Sequence, residues 1–174
     1  LWLVYAAIAA IPFYLISTLG PVDSFFESMS ALTTTGLSLM QPILDSMPAS
    51  LIFWRSFISW IGGVGIIVLA LAGVFTTYSM ASRLITAEGR SDHLKPNLKN
   101  SIKAIWSIYV GLTIIGIIIL YAGGMNFFDS VNYSMSAIST TGMDTTSQGL
   151  IGQHNFLIDF GLILVMLLGS VAFS

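Results

Sequence analysis

Cysteine is absent from the 174 residues, and that absence removes disulfide frameworks, thiolate nucleophiles and Cys-bearing zinc or iron-sulfur sites. Charge is nearly as scarce. Only 8% of the residues are Asp, Glu, Lys or Arg, against roughly 25% in a soluble globular domain, so the chain cannot cover a water-facing surface. Six Lys and Arg against eight Asp and Glu give a formal net charge of -2, which excludes the basic patch that grips nucleic acid. The two histidines, His93 and His154, have no ligand set beside them and read as solvated polar residues. No GxxxxGK[ST] phosphate loop occurs, so no P-loop nucleotide site is expected.

What is present is apolar. Hydrophobic residues make up 55% of the chain and its mean hydropathy is +0.88; the class is an all-α, multi-pass membrane protein. A helix needs about 20 apolar residues to cross a bilayer. Residues 1–19 form such a run without a charge, with Pro12 placed to kink it. A signal peptide is the competing reading, but there is no basic leading segment and no small-residue cleavage site. The uncharged run 56–82 holds a second span at 57–75, and 104–123 is the plainest third. The last, 160–174, is short for a crossing, with 155–159 beginning it.

Orientation follows from the basic residues. Arg83, Arg90, Lys95, Lys99 and Lys103 are five of the six Lys and Arg, and all lie between the second and third spans. By the positive-inside rule that connector is cytoplasmic. The N-terminus is then inside, and 20–50 and 124–154 face outward. The expected division is a first unit 1–75, a cytoplasmic connector 76–103 and a second unit 104–174, in the inner (cytoplasmic) cell membrane.

The two outward segments repeat. A shift of 106 residues lays DSFFESMSALTTTG, from Asp23 to Gly36, on DSVNYSMSAISTTG, from Asp129 to Gly142, with nine of fourteen pairs identical and no gap. Each unit therefore reads as span, short re-entrant segment, span, and the copies are parallel because an even number of crossings separates them. In each, about ten helix-compatible residues (24–32 and 130–138) run into Thr-Thr-Gly. Non-helical backbone at membrane depth is tolerated where it is buried in protein or lines a water-filled cavity. Glycine allows positive φ, which lets successive carbonyls turn the same way, and such carbonyls can replace the hydration shell of a monovalent cation.

Other residues leave two readings each. Arg55, the one basic residue on the outer side, reads as a snorkelling arginine at the interface rather than as the partner of an acid. Glu27, Asp23, Asp45 and Asp144 share that side. Asp144, two residues beyond Gly142, is the best candidate for a pore-mouth acid that concentrates cations, with a cap or turn acid as the alternative. Gly62, Gly63 and Gly65 interrupt the second span, and close helix packing is preferred over a gating hinge; the shift of 106 carries Gly63 onto Gly169. Trp2, Trp54, Trp106 and Tyr121 sit near span ends as interfacial aromatics do.

The segments FFESMSALTTTGLS, FWRSFISWIGGVGIIVLALA and RLITAEG closely resemble the Trk/Ktr/HKT superfamily of potassium transporters, in particular the bacterial membrane subunits of TrkH and KtrB type. The resemblance covers essentially the whole chain. It implies four membrane-pore-membrane units around one pore, of which this chain looks like the first two. It also implies filter segments of Thr33, Thr34, Thr35, Gly36 and Leu37, and of Ser139, Thr140, Thr141, Gly142 and Met143, coordinating K+ largely through backbone carbonyls. Thr35 and Thr141 would add hydroxyl or carbonyl ligands at the inner end. The implied partners are the remaining two units of the same protein or a second chain, a second full-length copy in a homodimer, membrane lipid and a cytoplasmic RCK-type nucleotide-binding subunit; Glu88 reads either as a contact to that subunit or as a solvated charge. No covalent cofactor and no nucleic acid partner are implied.

Two filter segments are half of what surrounds an ion, so either the chain is part of a longer protein or two chains complete one pore. Transport down the electrochemical gradient would need no ATP-hydrolysing site. The rivals are a non-conducting assembly subunit and an intramembrane hydrolase using Ser30 or Ser136. The hydrolase lacks a base within the spans, since both histidines fall outside them.

Overall fold

The computed structural model describes residues 2–87, 98–150 and 155–172, with side chains described outside 70–87, 98–101 and 171–172. Glu88, Arg90, His93, Lys95 and His154 lie outside the described residues. The described residues fold as helices alone: α1 (Trp2–Ala9), α2 (Ile11–Ile16), α3 (Pro21–Leu32), α4 (Ala49–Ala87), α5 (Leu98–Ala122), α6 (Phe127–Ile138) and α7 (Phe156–Ala172), with a 3-10 turn at Gln41–Ser46. Within α4 and α5, Ala49–Leu69 and Ile102–Ala122 are long and apolar enough to cross a membrane.

The expected first span is broken into α1 and α2 at Ala10. Pro12 stands in the first turn of α2; it lacks the N–H that would bond the Ile8 carbonyl, and its ring crowds that carbonyl, so the helical ladder is interrupted there. Hydrogen bonds run past the break on either side, from Ala10 N–H to the Ala6 carbonyl (2.9 Å) and from Tyr14 N–H to the Ala10 carbonyl (3.0 Å).

Helix α4 begins at Ala49, eight residues before the expected 57, and encloses Arg55. The reading of Arg55 as an interfacial snorkel is corrected here, because the residue is 1% exposed and packed inside the protein. A charge marks a span boundary only when it must reach water, and this one meets a carboxylate instead. At the other end, α7 starts at Phe156 as the 155–159 start implied. Asn155 Oδ1 accepts the Leu157 N–H (3.1 Å), and its Nδ2 donates to the Gly123 carbonyl (2.9 Å), tying the end of α5 to the start of α7.

The short helices α3 and α6 sit inside the frame of the long ones. Lipid tails are as apolar as leucine, so helices in a membrane are held by close van der Waals packing and by hydrogen bonds. The glycines of α4 and α7 permit that approach. A methyl group on Gly62 would lie 2.0 Å from the Leu32 carbonyl oxygen, and one on Gly169 would lie 3.0 Å from the Ala137 carbonyl oxygen and 3.1 Å from Ile138. The contact equivalent of Gly169 is thus Gly62, whereas Gly63 faces Tyr109 and Ser139 of the second unit. Trp54, expected at an interface, donates its indole N–H to the Ala9 carbonyl (3.1 Å) and fastens α4 to α1. Trp60 does the same across the seam, to Thr113 Oγ1 (2.9 Å).

Candidate functional site

Each short helix has built ends. Helix α3 starts with Pro21 after Gly20 and carries Asp23 in its first turn. In α6 the side chain of Asn126 accepts the Asp129 N–H (2.8 Å), closing the first turn. Both are 12 residues long, about 18 Å at 1.5 Å per residue, too little to cross a core of about 30 Å. They end alike. Thr34 N–H bonds the Ala31 carbonyl (3.0 Å) and Thr35 N–H the Ser30 carbonyl (2.9 Å); Thr140 and Thr141 repeat this on Ala137 (3.0 Å) and Ser136 (2.9 Å). This double closure needs its middle residue in the left-handed region, a place glycine usually takes. Here it is threonine, with φ 54° at Thr34 and 58° at Thr140. A β-branched residue at positive φ is strained.

Two residues on, Gly36 (φ 79°) and Gly142 (φ 74°) are left-handed as well. Every second residue of Thr34-Thr35-Gly36 and of Thr140-Thr141-Gly142 therefore has positive φ. That alternation is the backbone habit that brings successive carbonyls to one side, where an extended strand would point them to opposite sides. Among the described residues, none donates a hydrogen bond to the carbonyls of Thr33, Thr34, Thr35 or Gly36, nor to those of Ser139, Thr140, Thr141 or Gly142. The helices end on these segments with no basic residue in their last turns, so the negative ends of their dipoles face the same place.

The hydroxyls of Thr33, Thr35, Ser139 and Thr141 are engaged within the chain. Thr33 Oγ1 donates to the Met29 carbonyl (2.8 Å) and lies 2.8 Å from Thr35 Oγ1. Ser139 Oγ donates to the Ser136 carbonyl (3.2 Å) and lies 2.7 Å from Thr141 Oγ1. Ser30 and Ser136, considered above as nucleophiles, are latches on the segments. Ser30 Oγ donates to the Leu37 carbonyl (2.6 Å), and Ser136 Oγ accepts the Met143 N–H (2.6 Å). The same pair of positions is thus joined in both units with the donor reversed.

The two segments meet. A methyl group at Gly36 would lie 2.0 Å from the Thr141 carbonyl oxygen, whereas one at Gly142 would meet nothing within 4 Å. Met143 is buried among Met40, Leu44, Leu51 and Ile52 of the first unit, while Leu37, its counterpart after the shift of 106, is 62% exposed. The seam between units also holds Glu27, fully buried, whose carboxylate accepts Ser38 Oγ (2.8 Å) and the Leu39 N–H (2.9 Å). Arg55 Nε lies 3.2 Å from Glu27 Oε1 and directs its N–H at Met143 Sδ (3.2 Å). Glu27, grouped above with Asp23, Asp45 and Asp144, is thus withdrawn from solvent.

Asp144 is half-buried: Tyr133 donates to its Oδ1 (3.3 Å) and Gln41 Nε2 to its Oδ2 (3.4 Å). Gln41 also donates to the carbonyls of Thr146 and Ser147, both at 3.2 Å. Asp45 accepts from the Ser147 N–H (3.0 Å) and hydroxyl, and these bonds hold its carboxyl below the usual carboxylate range. A cavity of about 410 Å³ opens beside the second segment, between α6 and α7, with Tyr133, Thr140, Met143, Met166 and Ser170 in its wall.

The sequence reading missed the Glu27–Arg55 pair and the strained threonines. A signal for the first was available: Glu27 shares a helix face with Ser24, Ser28 and Ala31, small residues at the spacing of a packed face, and the repeat sets Tyr133 in its place. No signal marked Thr34 or Thr140, because their φ is imposed by the double closure of the helix end.

The TrkH family of cation transport proteins matches residues 2–174. An uncharacterized cation transporter of Methanocaldococcus jannaschii is 40% identical over 171 residues, covering 98% of this chain and 35% of that protein. The Trk system potassium uptake protein TrkH of Vibrio parahaemolyticus is 31% identical over 179 residues, covering 99% of this chain and 37% of that protein. The crystal structure of the potassium transporter TrkH from Vibrio parahaemolyticus superposes with a TM-score of 0.76 at 31% identity, over 94% of this chain and 33% of that one. The chain thus spans about a third of the length of the relatives it matches. With the matching fold and a family match over residues 2–174, this chain belongs to the TrkH family of cation transport proteins, which are transporters and not enzymes.

Proposed function

We propose that the protein of which this chain forms part takes up potassium across the cytoplasmic membrane through a filter of backbone carbonyls. The observation that carries this is the pair of Thr-Thr-Gly segments, each left-handed at alternate residues, lying against one another with carbonyls unclaimed by other described residues. Thr33, Thr34, Thr35, Gly36 and Leu37 act with Ser139, Thr140, Thr141, Gly142 and Met143 as half of the ligand set. Relatives named as potassium uptake proteins support K+ as the cargo. Asp144 adds negative charge at the outer mouth. The ion moves down its electrochemical gradient, worth about 2.3 kcal/mol per 100 mV of inside-negative potential.

The units are 1–75 and 104–174, joined by a cytoplasmic connector at 76–103, with the filters facing outward. Two further units complete the ring, supplied by the same protein or by a second chain. Leu37 supports this: its counterpart Met143 is buried in the seam, and an apolar side chain 62% exposed beside a filter is what a neighbouring unit would cover. A full-length homodimer embedded in lipid, regulated by an RCK-type nucleotide-binding subunit on the cytoplasmic side, completes the reading.

The test is potassium-limited growth of an uptake-deficient strain carrying the full-length protein with Gly36→Ser or Gly142→Ser. Loss of growth with protein still present in the membrane is expected. Unchanged growth of both variants overturns the filter.

A further inference from the structure

We propose that Glu27 and Arg55 are a positioning pair that fixes the outer ends of both filter segments and so sets how strictly they discriminate among monovalent cations. The inference rests on the filter reading above and assigns it two residues that touch no ion.

Glu27 stands on α3 behind the first segment, and both of its oxygens hold the chain that leaves that segment. Ser38 and Leu39, which it binds at 2.8 and 2.9 Å, are two and three residues beyond Gly36. Arg55 reaches the same carboxylate from α4 (3.2 Å) and the sulfur of Met143 (3.2 Å), the residue directly after Gly142. One ion pair thus grips the exits of two filter segments that belong to different units.

The second unit builds this node differently. Tyr133 takes the place of Glu27 and Asp144 that of Ser38, so the helix supplies the donor and the loop the acceptor (3.3 Å). At that node a hydroxyl and a carboxylate suffice to tie helix to loop. The first unit uses a full charge pair, which spans the seam.

The cost of this arrangement argues that it does more than hold the fold together. Both side chains are at least 98% buried, and Arg55 Nη1 and Nη2 have no hydrogen-bond partner among the described residues. A buried ion pair is often replaceable by apolar residues without loss of stability, so packing alone does not require it. A filter that discriminates by the size of its cavity requires that the coordinating carbonyls be held in place by the groups behind them.

The experiment uses the full-length protein in lipid vesicles, with potassium and sodium uptake measured side by side and folded yield recorded. Glu27→Gln keeps the shape and one acceptor but strands the arginine. Its potassium-to-sodium uptake ratio is expected to fall roughly tenfold, the low end for groups that orient the ligands of a bound cation. Glu27→Gln combined with Arg55→Met removes the stranded charge, so folded yield is expected to recover while the ratio stays low. An unchanged ratio in either variant, or recovery of both yield and ratio in the double variant, overturns the proposal and leaves the pair a purely structural one. Absence of any monovalent cation flux in the wild-type protein overturns the filter reading, and this proposal with it.

Discussion

Thr34 and Thr140 hold a conformation that costs an L-residue about 1–2 kcal/mol, and glycine would remove that cost at the expense of its own entropy in the unfolded chain. Thr140→Gly is therefore expected to raise stability by at most about 1 kcal/mol while lowering potassium discrimination, read as melting temperature and potassium-to-sodium uptake ratio in the full-length protein. The strain persists because Ser136 and Ala137 accept from both flanking amides, which leaves residue 140 no other conformation. Gly36 and Gly142 differ in kind. Gly36 is constrained by its φ and by the Thr141 carbonyl, Gly142 by its φ alone. Gly36→Ala should consequently lower the melting temperature more than Gly142→Ala does.

At the scale of the element, packing between helices decides which small residues matter. A methyl at Gly62 would collide with the Leu32 backbone, while at Gly111 it would meet nothing within 4 Å. Gly62→Ala is expected to destabilise by about 1–3 kcal/mol through overpacking. Gly111→Ala is expected to be neutral or to stabilise by up to about 1 kcal/mol, the helix-propensity difference. Thermal unfolding of the two variants in detergent checks the contrast. The composition made these helices legible, since long uncharged runs have few other uses. It did not make their ends legible. Arg55 looked like the edge of a span because a lone charge in a membrane is costly, and only Glu27, 28 positions earlier, makes it affordable inside α4.

In the molecule as a whole, the seam between units is held by side chains that the first unit lends to the second and receives from it. Met143 lies buried in the first unit's core, and Met143→Ala is expected to cost about 2–5 kcal/mol. Leu37→Ala should approach that cost in the full-length protein if a further unit covers it; a change within about 0.5 kcal/mol would mean that nothing does. Chemical unfolding separates the two results. The Asp45–Ser147 tie across the seam carries a pH dependence. The folded Asp45 carboxyl is held below its ordinary value of 3.8 by Ser147, so this tie contributes above that value and is lost as pH falls through the lowered one. Hydrogen exchange at the Ser147 amide, corrected for its intrinsic rate, should stay protected from neutrality down to the ordinary carboxylate range and lose protection only below it.

The amino-acid sequence alone determined the membrane setting, the repeat at 106 residues and the two Thr-Thr-Gly segments, because each is a local or periodic property that survives without knowing what touches what. Only the tertiary structure decided that Gly36 abuts Thr141, that Ser30 and Ser136 latch the segments with opposite polarity, and that Glu27 meets Arg55. Those are contacts between residues distant in the chain, and a buried charge becomes tolerable, or a glycine necessary, through the group that folding brings against it.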